Sequence, residues 1–200
     1  SPACRQVCDD LKLAGRQVGV EFTHMRVFEQ QAIAASVPEC HFSNAEPILA
    51  HLRMCKEPTE LSDLQEAARL NERAFRQVIE NIHTGQTEKE IAAAYQMAAL
   101  QVNSDGLAFD PIIVSGPHGA FPHAYPSDRP VQAGEFITLD CGVKHRNYCS
   151  DITRTFAIGA ISEGLKAIYD VVYEANEVGR SAVRPDVTAE MVDRATRQVI

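Results

Sequence analysis

The stretch ITLDCGVKHRNYCSDITRTF, residues 137–156, sets two aspartates eleven positions apart, Asp140 and Asp151, inside runs that otherwise spell buried strand. The spacing predicts a hairpin with strands over 135–143 and 148–158, joined by a polar turn around Lys144 to Asn147. With the turn centred between His145 and Arg146, Asp140 lies directly across from Asp151. Opposed residues on one sheet face have Cβ atoms about 4.5 to 5.5 Å apart, where like charges repel. Two carboxylates so placed require a cation between them or a shared proton. Leu139, Phe136 and Ile152 mark the hairpin as buried, and an unpaired carboxylate there costs several kcal/mol. A structural alternative has one Asp capping the turn and the other pairing with Arg154 or Arg146, and a one-residue bulge would change the register. The same register separates Cys149, on the Asp face, from Cys141 on the other.

Two aspartates do not complete a site for a hard or borderline divalent ion, which needs further oxygen or imidazole ligands. His123 stands seventeen residues before Asp140 in FPHAYPSDRP, a Pro-rich loop stiff enough to hold a side chain over a neighbouring site. His118 is a weaker candidate of the same kind. The alternative for both is a solvated surface histidine.

Outward from the hairpin, helical periodicity dominates. Leu64, Ala68, Phe75, Val78, Ile79 and Ile82 recur on one face of a helix that ends near His83-Thr84-Gly85. Thr87 and Glu90 form a capping box that opens a second helix with Ile91, Ala94, Tyr95, Ala98 and Val102 on its apolar face. Phe75 and Met97 read as core, and Glu72 with Arg76 as an exposed i,i+4 pair. FDPIIVSG reads as a short strand before the Pro-, Gly- and His-rich loop. Past Gly159 the helical period returns, first with Leu165, Ile168, Val171, Val172, Ala175 and Val178, then from Thr188 to Val199. The order helix, helix, strands, helix, helix predicts an α+β chain that holds one unit and half of a second, with the periodic run at Ile200 continuing in a longer protein. Residues 1–55 read as a strand, helices and a turn too short for a core of their own. They are expected to be the end of a separate domain, with a boundary near Lys56 to Pro58.

Composition removes several function classes. A formal net charge of -8, with Lys and Arg scattered along the chain, gives no footprint for nucleic acid or an anionic membrane. The longest apolar stretches, such as 91–100, fall short of the roughly 20 residues of a membrane span, and SPACRQVCDDLKLAG has no apolar signal core. A cytoplasmic protein with no nucleic-acid or membrane partner is the expectation. Six cysteines without a CxxC pair read as free thiols, not as a disulfide framework or structural zinc.

FDPIIVSG, PHAYPSDRP, ITLDCG and YCSDITRTFAIG together resemble the first part of the catalytic domain of the pita-bread metallopeptidases, which include Xaa-Pro dipeptidase, aminopeptidase P and methionine aminopeptidase. The resemblance covers residues 56–200. Residues 19–57, with LRMCKEPTEL at their end, are similar to the end of the amino-terminal domain of the proline-specific and creatinase-like members, so residues 1–55 are expected to be the last part of a creatinase-type α/β domain. The resemblance implies an incomplete pita-bread fold and hydrolysis of a peptide bond next to proline. It also implies two divalent metal ions, with Mn first and Co, Zn or Fe permitted, a proline-containing peptide as substrate, and a homodimer at full length. By motif, Asp140 matches the aspartate that chelates one metal and Asp151 the one that bridges both. His123 matches the loop histidine that contacts substrate without binding metal. The remaining His and two Glu ligands match nothing in the chain, so the 200 residues alone are expected neither to hold a stable dimetal centre nor to hydrolyse peptides. Two rival functions go with the same resemblance: a metal-independent creatinase-like C–N hydrolase, and a non-catalytic protein-binding scaffold. The intact aspartate pair speaks against both.

Overall fold

A computed structural model describes residues 2–200, which divide into two compact units at Pro58/Thr59. In the first, α1 (Pro2–Asp10), β1 (Gln17–Val20), α2 (Val27–Ser36), β2 (His41–Asn44) and α3 (Glu46–Met54) follow in order. β1 and β2 pair in parallel, with Val18 beside Phe42. The second strand escapes the sequence reading because HFSN has no apolar alternation. Cys8, Val37 and Cys40 form a small core, joined by Cys4, Leu13, Val18, Ile33 and Phe42. So small a core in a parallel βαβ arrangement contributes little stability by itself.

The second unit is built on α4 (Pro58–Ile79) and α5 (Glu88–Gln101). The buried residues of α4, namely Ala67, Leu70, Asn71, Ala74, Phe75 and Val78, keep the i, i+3, i+4, i+7 period that turns one stripe of a helix to the core. The capping box forms as the sequence predicts: the Thr87 N–H donates to Glu90 at 2.8 Å, and the Glu90 N–H to the Thr87 hydroxyl at 3.2 Å. Phe75 meets Tyr95 edge-on, ring centroids 5.7 Å apart. Two surface expectations fail. Met97 is 57% exposed, because α5 turns Tyr95, Ala98 and Ala99 inward instead. On α4 the ion pair is Arg69 with Glu66 at 3.6 Å, one turn before the predicted Glu72–Arg76.

The strands β3 (Gly106–Leu107), β4 (Ile112–Ser115), β5 (Glu135–Cys141), β6 (Val143–His145), β7 (Tyr148–Cys149) and β8 (Ile152–Ile158) form two antiparallel three-stranded sheets, ordered β4-β5-β8 and β3-β6-β7. Ile113, Ile137, Leu139, Cys141 and Val143 join the α4/α5 core. The alternate residues Phe136, Thr138 and Asp140 stand on the opposite face, as the two-residue period of a strand requires. Buried between the layers, the Asn71 side-chain amide donates to the Cys141 carbonyl at 2.8 Å, and the Tyr95 hydroxyl donates to Asn71 at 2.7 Å. This strut fixes β5 at the residue next to Asp140.

The hairpin departs from the predicted register. Its turn is the pair Arg146-Asn147, with φ of 48° and 69°, flanked by His145 opposite Tyr148. Two consecutive left-handed residues are the signature of the tight hairpin turn whose twist matches the strands. The turn therefore lies one residue later than expected, and Asp140 faces Thr153, not Asp151. Arg146 pairs with Asp63 at 3.6 Å and Arg154 donates to the Thr153 carbonyl at 2.8 Å, so neither neutralises an active-face aspartate as the structural alternative required.

α6 (Glu163–Ala182) and α7 (Ala189–Arg197) close the described chain. They touch where Gly179 passes Thr196, since a Cβ on Gly179 would lie 2.6 Å from the Thr196 hydroxyl oxygen. The apolar residues that gave α6 its period are mostly on the surface, with only Ala175 and Gly179 buried.

Candidate active site

Asp140 sits near the end of β5, half-buried on the face away from α4 and α5. Asp151 precedes β8 at a break in the ladder. With Cys141 opposite Ile152, continuing the register puts Gly142 across from Asp151. A Cβ at Gly142 would fall 2.1 Å from the Ser150 carbonyl oxygen and 2.7 Å from the Phe109 ring, so only glycine admits this approach of the two backbones. The Ser150 hydroxyl bridges the same gap, accepting from the Val143 N–H at 3.0 Å and donating to the Val143 carbonyl at 3.1 Å. The two aspartates thus converge diagonally across a pinched hairpin.

Burial is the largest influence on the Asp140 carboxyl and pushes it above the usual carboxylate range. A hydrogen bond from Thr153 opposes that, Asp151 adds to it through its charge and a hydrogen bond, and His123 opposes it again. His123 is therefore within electrostatic reach of the pair, from an exposed position on the loop between β4 and β5. The Asp140 Oδ1 atom is buried with no hydrogen-bond partner. A buried carboxylate oxygen without a donor is costly, and a cation is the usual remedy. The donor set fits a divalent ion in kind, two carboxylates of which one has an orphaned oxygen, but not in number. Among the described residues, no group of three or more His, Cys, Asp or Glu side chains is placed to hold a metal. An open cleft of about 970 Å³ borders the site through Thr153, lined by Phe136, Thr138, Thr155 and, from α6, Tyr169 and Tyr173. Asp140, Asp151 and His123 lie outside its walls.

A second polar cluster, at the other end of the β4–β5–β8 sheet, has no counterpart in the sequence reading. Glu88, the first residue of α5, is fully buried. Its Oε1 accepts from the Ser115 N–H at 2.7 Å and hydroxyl at 2.9 Å. Its Oε2 accepts from the Ser127 N–H at 3.0 Å, the Ser127 hydroxyl at 2.7 Å and the His118 Nδ1 at 3.1 Å. Burial is the largest single influence on Glu88 and pushes its carboxyl up, yet the bonds from Ser127, His118 and Ser115 together hold it below its ordinary value. His118 is thereby a partner of Glu88. Arg129 continues the network, donating to the Ser115 hydroxyl at 2.6 Å and to both oxygens of Glu135 at 2.7 and 2.6 Å. Gly116, at φ 51°, leaves room for that ion pair, since a Cβ there would be 2.3 Å from a Glu135 carboxylate oxygen.

The sequence of this unit, which carries the two aspartates and the histidine-bearing loop, matches a known family. Residues 62–200 match metallopeptidase family M24, and the chain belongs to it. It is 31% identical to the Xaa-Pro dipeptidase of Pyrococcus horikoshii over 159 residues, 80% of this chain and 45% of the relative. The structure superposes on the X-Pro aminopeptidase of Thermotoga maritima with a TM-score of 0.87 and 31% identity, covering 99% of this chain and 56% of the other. On a Xaa-Pro dipeptidase from Bacillus anthracis the TM-score is 0.90 with 30% identity, covering 98% and 56%. The chain thus spans about half the length of the curated relatives it matches, and its fold is an incomplete pita-bread α+β fold. No helix among the described residues is long and apolar enough to cross a membrane.

Proposed function

We propose that the full-length protein hydrolyses the peptide bond next to proline, as a dipeptidase or an aminopeptidase, with Asp140 and Asp151 among the ligands of two divalent ions. The observation that carries this reading is the convergence of the two carboxylates around a buried oxygen, Asp140 Oδ1, that no protein group satisfies. Divalent ions, when bound, supply Lewis-acid chemistry: an acidified water and stabilisation of negative charge on the carbonyl oxygen. Mn(II) is the ion of first choice, and ligand type also admits Co(II), Zn(II) and Fe(II).

The chain's own residues perform the rest. Thr153 faces Asp140 across the β5–β8 pair, and the Asn71–Cys141 bond holds the strand beneath it. His123, exposed on its loop, donates a hydrogen bond to the substrate or to the oxyanion that develops from it. The family resemblance and the names of the relatives support proline as the specificity element.

The test is turnover by the metal-stripped and Mn(II)-reloaded full-length protein on Ala-Pro, Ala-Pro-Pro and Ala-Ala. Cleavage of the first alone marks a dipeptidase, and release of the first residue from the second marks an aminopeptidase. Failure on both proline peptides, or equal turnover of Ala-Ala, overturns the proposal.

A further inference from the structure

Glu88 is fully buried, an expensive place for a glutamate unless the core needs it, since a buried carboxylate without partners costs several kcal/mol. Its five donors show what the core needs it for. Oε1 takes the start of the β4–β5 connection at Ser115, and Oε2 takes Ser127 further along it. The eleven residues between them, 116–126, are closed at their base on one carboxylate. The same Oε2 holds His118 inside the loop. From there a chain of backbone bonds runs on: the His118 carbonyl accepts from the Phe121 N–H at 3.0 Å, and the Phe121 carbonyl from the Ala124 N–H at 3.2 Å. Ala124 is the neighbour of His123.

We propose that Glu88 is a positioning residue, whose buried carboxylate sets the pose of His123 near the aspartate pair by clamping the 116–126 segment at Ser115, Ser127 and His118. The role of His123 rests on the proposed peptidase function, but the clamp does not. Backbone pairing already ties Ser115 to β5 and the Ser127–Arg129 segment to the start of α5. The side chain of Glu88 adds the bonds that span the loop, and only a charged acceptor can take five donors on two oxygens.

The experiment uses the full-length protein with Glu88→Gln, which turns an NH₂ toward groups that are themselves donors. Hydrogen exchange of the non-proline amides within 116–126 should quicken at least about tenfold, with metal content unchanged. Lys89→Ala breaks only the exposed Lys89–Asp128 pair (2.9 Å) at the same corner and should leave exchange and activity alone. Misplacement of a catalytic group by about 1 Å costs up to roughly a hundredfold, so Glu88→Gln should lower kcat about ten- to a hundredfold with little change in KM. The decisive readout is the double variant Glu88→Gln/His123→Ala, which should be no slower than His123→Ala alone, because Glu88 acts through His123. Additive losses overturn the positioning role, and unchanged exchange or an equal rise in Lys89→Ala overturns the clamp. Should Glu88→Gln fail to fold, Ser127→Ala removes one hydroxyl donor and should shift exchange the same way by a smaller factor. If the unaltered protein cleaves no proline peptide, the function falls, and the exchange measurement still decides the clamp on its own.

Discussion

Two carboxylate sites lie in the second unit, at opposite ends of the β4–β5–β8 sheet, one at fully buried Glu88 and one at half-buried Asp140, and they are built on opposite plans. Glu88 is saturated, with five donors and a carboxyl held below its usual range although burial pushes the other way. Asp140 is starved. It has one carboxylate oxygen with no partner, a second carboxylate beside it, and a carboxyl raised by burial. The same physics, charge taken out of water, thus yields an architectural anchor where the protein supplies the donors and, under the proposed function, a metal-ligand site where it withholds them. A buried acid is read from its donor count, since burial is common to both.

The sharpest way to break that contrast is Asp151→Ala in the full-length protein. Loss of Lewis-acid chemistry worth several kcal/mol corresponds to a drop of about 10³ or more in kcat/KM. Metal content and activity should fall together. His123→Ala, in contrast, should lose turnover while keeping its metal, and a parallel loss of metal would remove it from the substrate role.

Gly142→Ala strikes the aspartate site through its geometry. The new methyl group would need to displace the Ser150 carbonyl, so the protein should lose about 3 kcal/mol of stability in urea unfolding and bind metal more weakly. A variant as stable as the parent would show that the hairpin is not pinched as described.

The smallest effect is the acid response of the saturated site. A carboxyl whose folded pKa is depressed takes up its proton first in the unfolded chain. The stability that Glu88 contributes is therefore complete above its unfolded value of about 4.3 and is lost as pH falls from there through the folded pKa. Unfolding curves of the parent and Glu88→Gln should differ by about 1 to 3 kcal/mol at pH 7, and the gap should narrow as pH falls below about 4.3. A gap that does not narrow on acidification would mean the carboxylate charge is not what the donors hold.

Much of this was legible from residue order. The two helices were given by their apolar period and by the Thr87/Glu90 box, and Asp140, Asp151 and His123 stood out as polar residues in apolar or Pro-rich surroundings. The register was not. Arg146-Asn147 is an unusual pair for a left-handed turn, and without Asn-Gly or Asp-Gly to mark it the hairpin could be centred one residue early. That slip keeps Asp140 and Asp151 on one face but turns a direct pair into a diagonal one. Glu88 was hidden for a different reason. An acidic residue in the first turn of a helix complements the helix dipole wherever it occurs, so nothing local distinguishes a buried one.

By itself the sequence determined what is short-range or compositional: helix periods and caps, the β-branched strands, and the presence of two aspartates that needed explaining. Only the tertiary structure decided which groups meet. Partners such as Ser115 and Ser127 for Glu88, Asn71 for the Cys141 carbonyl, and the backbone against Gly142 are brought together by packing across 8 to 70 residues of chain. Hydrogen bonds and charge desolvation depend on those distances in space, which no local pattern encodes.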